Sequence, residues 1–168
     1  MAKQRKIIIG VGIGVVALGA LLLYAQPRAN QPSIKDADTP KGAISVVKAS
    51  NYDFGTISMR DGKVSTIFKI KNTESEPIKM SKLYTSCMCT KVTLKMAGKT
   101  KGPFGMLGHG FIPSFNEILE PEGIAEIEVV FDPAAHGPVG IGKIQRTVTL
   151  ENNGGRPIEL LITANVTP

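Results

Sequence analysis

The chain has 168 residues, with 20 Lys and Arg against 14 Asp and Glu, a formal net charge of +6, two cysteines and no tryptophan. That length suits one modest domain plus an additional segment. Setting aside Lys3, Arg5 and Lys6 leaves 17 basic and 14 acidic residues, an ordinary solvated surface. No basic run interleaved with aromatics is present, which gives nucleic-acid binding little support, and no nucleic-acid partner is expected.

Residues 1–6 form a basic flank, and residues 7–25 then run for 19 residues without a charge. A helix needs roughly 20 apolar residues to cross a bilayer core of about 30 Å. Tyr24 sits at the far edge of the run, where interfacial aromatics collect. The stretch predicts one transmembrane helix acting as a signal anchor in the cytoplasmic membrane. Basic residues stay on the cytoplasmic side, so the C-terminal part would lie on the periplasmic or extracellular side. Secretion after signal cleavage is the alternative. The apolar run exceeds the usual signal-peptide length, and Leu23 stands where a small residue is preferred.

Residues 26–42, "QPRANQPSIKDADTPKG", are polar and proline-bearing and read as a linker. From residue 43 the pattern changes to short alternating runs between turn residues. "KVSTIFKIKN" places Val64, Thr66, Phe68 and Ile70 on one face. "CTKVTLKM" alternates Val92, Leu94 and Met96 with Thr93 and Lys95. "IAEIEVVFD" turns Glu126 and Glu128 to one solvated face, and "KIQRTVTLEN" and "PIELLITANV" complete the series. The prediction is an all-β domain over residues 43–168, an antiparallel sandwich of about seven to eight strands.

Residues 97–119 break the rhythm. They are glycine-rich and carry Phe104, Met106, Leu107, Phe111, Ile112 and Phe115. They read as a long apolar loop that either folds over an open end of the sandwich or meets a partner. Loops of this length in compact domains are often functional.

The pieces "YDFGTI", "FKIKNTESEPIKM", "TSCMCT", the "EPEG" turn before "IAEIEVVFDP", and a closing strand ending "LLITANVTP" occur in this order. Together they resemble the bacterial family called domain of unknown function 1573, over about residues 43–168. The resemblance implies an Ig-like fold and an exported or membrane-attached protein. It implies no reaction. Met88 stands where the family shows glycine between its two cysteines, and the loop at residues 97–119 is longer than is usual there.

Cys87 and Cys89 are the only cysteines. In an extended strand they would point to one face, with Cα atoms about 6.5–7 Å apart. That lies at the edge of the roughly 4.4–6.8 Å that a disulfide spans, although an exported location favours oxidation. A soft-metal site is a second reading, with Cys87 and Cys89 joined by Met106 and His109 around Cu(I). A redox role lacks the Cys-x-x-Cys and βαβ pattern of thioredoxin-like proteins. The two cysteines also suit small, semi-buried sheet residues. His109 and His136 read as loop residues outside any triad.

The sequence therefore points to a membrane-anchored Ig-like envelope module for protein binding or assembly. It is expected not to be an enzyme and to need no cofactor. Phe104, Met106, Leu107, Phe111 and Ile112 would form the contact with a protein partner. Copper binding through the Cys-x-Cys pair is the alternative.

Overall fold

The computed structural model describes residues 43–168. The basic flank, anchor and linker expected at residues 1–42 lie outside the described residues. No helix among the described residues is long and apolar enough to cross a membrane.

Ten strands follow one another: β1 (Ile44–Val46), β2 (Asn51–Ser58), β3 (Val64–Asn72), β4 (Ile78–Thr85), β5 (Thr90–Met96), β6 (Lys99–Phe104), β7 (Glu117–Leu119), β8 (Ile124–Phe131), β9 (Gly142–Asn152) and β10 (Ile158–Thr167). They form two five-stranded sheets, ordered β1-β3-β8-β5-β6 and β2-β10-β9-β4-β7. The all-β sandwich expected from the alternation is present, with more strands than the seven to eight predicted. One pairing departs from the antiparallel expectation, because β2 runs parallel to β10. A parallel neighbour is available here because the chain crosses between sheets after β1 and again after β2, so β2 meets β10 without a hairpin.

The core follows from the period of two. On β8, Ala125, Ile127, Val129 and Phe131 are buried while the residues between them are not. Glu126 and Glu128 face outward as expected, where Lys69 and Lys95 lie 3.2 and 2.9 Å from them. Both pairs are partly exposed, so each contributes at most about 1 kcal/mol. Val92 and Leu94 from one sheet, and Leu83, Val148, Leu150, Leu160 and Ile162 from the other, are at most 1 % exposed. These side chains fill the space between the sheets.

The segment at residues 97–119 is not one loop. It contains β6, which pairs with β5, and β7, which pairs with β4. Phe104 and Phe115 are buried with their rings stacked at 5.6 Å. Residues 105–116 remain as the connection, and it carries Phe111 at 90 % exposure and Leu107 at 50 %. Phe104 thus belongs to the core rather than to an exposed contact, and Ile112 packs against that core. Apolar side chains in this segment divide between burial and solvent, a division that hydropathy alone does not reveal.

Candidate functional site

Two crossings between the sheets meet at one end of the sandwich. The first is the turn from β4 to β5, residues 86–89. The second is the connection from β8 to β9, residues 132–141. The Thr90 N–H donates to the Cys87 carbonyl at 3.1 Å, closing a four-residue turn through Met88 and Cys89. The Thr85 hydroxyl lies 2.9 Å from the Cys87 carbonyl and 3.2 Å from the Thr90 carbonyl. Ser86 and Thr147 exchange two hydrogen bonds of 2.9 Å, which pin the turn to β9. Asp132 N–H donates to the Cys89 carbonyl at 2.9 Å and joins the turn to the second crossing.

Cys87 and Cys89 form a disulfide with Cα atoms 5.3 Å apart. The two residues sit in a turn rather than a strand, and the turn supplies the shortening that an extended backbone denies. Met88 takes the place of the family's glycine without a left-handed backbone, since among the described residues the positive-φ residues other than glycine are Ala97 and Glu122. The Cα separation expected of an extended strand therefore does not apply.

Each sulfur has a nitrogen neighbour. His136 Nε2 lies 3.2 Å from Cys87 Sγ, and Arg146 Nε donates to Cys89 Sγ at 3.3 Å. The Cys89 N–H points to Cys87 Sγ at 3.4 Å, and Thr90 Oγ1 lies 3.7 Å from Cys89 Sγ. Cys89 is 2 % exposed, whereas Cys87 and His136 are partly buried. His136 is held by its loop. The Asp132 carboxylate accepts from Ala134 N–H at 3.0 Å, and Gly137 N–H donates to the Ala134 carbonyl at 2.9 Å.

Cys87, Cys89 and His136 have ligand atoms within 4.8 Å of one another. Two thiolates and an imidazole suit a soft cation once the disulfide is reduced. His136 thus joins the pair where the sequence suggested His109. His109 and Met106 instead line a cavity of about 540 Å³ together with Lys91, Lys101, Phe104 and Phe111. Met106 makes a parallel bridge to Thr85, so this cavity adjoins the end of β4. Neither His136 nor Arg146 was singled out as a site residue from sequence, because they lie 49 and 57 positions from their sulfur partners. Only the two crossings bring them together.

Residues 45–108 match the family model described as protein of unknown function (DUF1573). The chain carries a DUF1573 segment. It runs from β1 through β6 and includes the Cys87–Cys89 turn, but ends before His136 and Arg146. No curated protein matches the chain. A protein of unknown function from Porphyromonas gingivalis W83 is similar in structure, with a TM-score of 0.54 at 14 % identity over 74 % of this chain. The chain spans 46 % of that protein's length, and the likeness shows the fold alone. The ASH/PapD-like domain of human CEP192 gives a TM-score of 0.47 at 12 % identity, over 79 % of this chain and 91 % of that one.

Proposed function

We propose that this DUF1573-bearing protein is anchored by residues 7–25 in the cytoplasmic membrane and displays an Ig-like sandwich on the far side, where it binds another envelope protein. The observation that carries the reading is Phe111, 90 % exposed at the connection between β6 and β7. The same segment buries Phe104 and Phe115. A segment that encloses two phenylalanines and leaves a third in water suits a contact with a partner, and Leu107 extends the apolar surface. Cross-linking in whole cells tests this. Phe111→Ser with Leu107→Ser should remove the cross-linked protein partner and leave the thermal midpoint nearly unchanged. An unchanged cross-link, or binding of the wild-type loop to plain phospholipid vesicles instead, overturns it.

A second reading rests on the convergence of Cys87, Cys89 and His136. The reduced protein would hold Cu(I) through two thiolates and an imidazole. A Cu(I) titration checks it. An affinity no better than that of the Cys87→Ser, Cys89→Ser double variant, or one indifferent to His136→Ala, ends this reading.

A further inference from the structure

The Cys87–Cys89 bridge closes across a single residue. It therefore removes little freedom from the unfolded chain, because cross-link stabilisation grows with the length of the closed loop. Buried apolar side chains from both sheets make a core that extends well beyond this turn. The bridge contributes little to holding the fold, yet it sits between two nitrogen groups. Arg146 Nε is 3.3 Å from one sulfur and His136 Nε2 is 3.2 Å from the other.

A neutral disulfide gains little from such neighbours. A thiolate gains much more, because charge-assisted hydrogen bonds are roughly twice as strong as neutral ones. The surroundings thus favour the opened, anionic sulfur over the closed bridge. They also make the buried sulfur a better leaving group.

We infer that Cys87 and Cys89 form a thiol–disulfide exchange centre that accepts electrons from a dithiol of another protein. This goes beyond the binding reading and does not depend on Phe111. A partner thiolate attacks Cys87 Sγ, the sulfur of the less buried cysteine. A bond forms between the partner and Cys87, the Cys87–Cys89 bond breaks, and its electron pair leaves on Cys89 Sγ beside Arg146. The partner's second thiolate then attacks its own sulfur in the mixed disulfide and releases Cys87. Two electrons pass to the pair; the partner's two thiol protons go to solvent as its thiolates form, one is taken up by Cys87 on its release, and Cys89 stays as the thiolate beside Arg146. The reverse sequence returns the electrons to a more oxidising protein disulfide. Met88 lies between the two cysteines, and Val139 and Ile141 lie on the loop that carries His136; exposed at 52, 92 and 46 %, they offer apolar surface to an incoming chain.

The test uses the full chain in detergent, with chelator present, equilibrated against reduced and oxidised glutathione, then trapped by alkylation and weighed. The native protein should move between dithiol and disulfide as the glutathione ratio changes. Cys89→Ser should hold glutathione on Cys87, while Cys87→Ser should hold far less on Cys89. Arg146→Met should shift the equilibrium about tenfold toward the disulfide, the size of one hydrogen bond to a charged group. Arg146→Lys should recover part of that shift. A bridge that resists excess reduced glutathione until the protein is denatured overturns the proposal. Equal adducts on both cysteines, or an Arg146→Met equilibrium identical to wild type, overturn the roles assigned to Cys87 and Arg146.

Discussion

The backbone N–H of Asp132 donates to the carbonyl of Cys89 at 2.9 Å, and this bond ties the loop carrying His136 to the turn carrying both cysteines. The Asp132 carboxylate then holds the start of the loop through the Ala134 N–H. Asp132→Ala keeps the first bond and removes the second. Stability should fall by about 1 kcal/mol, the net value of one partly exposed hydrogen bond. Amide hydrogen exchange gives the sharper readout. The Ala134 and Gly137 amides should exchange faster, while those of Ile127 and Val129 in the middle of β8 stay protected.

Phe104 at the end of β6 and Phe111 within the β6–β7 connection should behave oppositely. Phe104 is 8 % exposed and stacks on Phe115, so Phe104→Ala opens a cavity and should cost about 3 kcal/mol. Phe111→Ser removes a solvent-facing ring and should stay within about 0.5 kcal/mol of wild type. Urea unfolding of the two variants measures both. If Phe111→Ser is as damaging as Phe104→Ala, Phe111 is core and the proposed contact loses its main residue.

The same segment shows where sequence patterning stops. Alternation was legible wherever one face is buried over several residues, as in Phe68 and Ile70 of β3 or Ile127 and Val129 of β8. β6 reads "KTKGPF", with two lysines, a glycine and a proline, and forms the edge of its sheet. Edge strands often carry lysine and proline, which hides them from a search for apolar alternation. β7 spans three residues, too short to show a period. The cysteine turn is hidden from sequence for another reason. "TSCMCT" lies between two good strands, and extending either strand puts the cysteines on a straight backbone instead of the turn they form. The approach of His136 and Arg146 depends on two sheet crossings, and no local pattern encodes that.

Glu117 opens β7 and is buried, with Lys101 Nζ 3.1 Å and Lys99 Nζ 3.3 Å from its carboxylate. The hydrogen bond from Lys101, followed by the bond and charge of Lys99, holds its carboxyl below the usual glutamate value against the opposing effect of burial. A depressed pKa in the folded state means stability that is fully present above the unfolded value. It is lost as pH falls through the folded value. Glu117→Gln should therefore lower stability by about 1–2 kcal/mol at neutral pH. The gap to wild type should close in acid, below the ordinary glutamate range. Denaturant midpoints measured across that window decide it, and a gap independent of pH would mean that the carboxylate charge is not the stabilising feature.

Asn72 ends β3 near the start of "KNTESEP" and is fully buried. Its amide nitrogen donates to the carbonyls of Glu76 and Leu119, each at 2.9 Å, and its amide oxygen accepts from the Glu74 N–H at 2.9 Å. One side chain thus shapes the β3–β4 turn and fastens it to the end of β7 in the other sheet. Only an amide offers two donors and an acceptor in this arrangement. Asn72→Ala leaves the buried Leu119 carbonyl without this donor and frees two part-buried groups, the Glu76 carbonyl and the Glu74 N–H, that water can partly reach, and should cost about 2 kcal/mol. Asn72→Asp is nearly isosteric but faces the two carbonyls with a carboxylate oxygen. At neutral pH it should be worse than alanine despite its better fit, because it adds repulsion to the lost bonds. Thermal or urea unfolding of the two variants ranks them. An aspartate variant as stable as wild type would show that the side chain only fills space, and the turn would then owe its shape to the backbone.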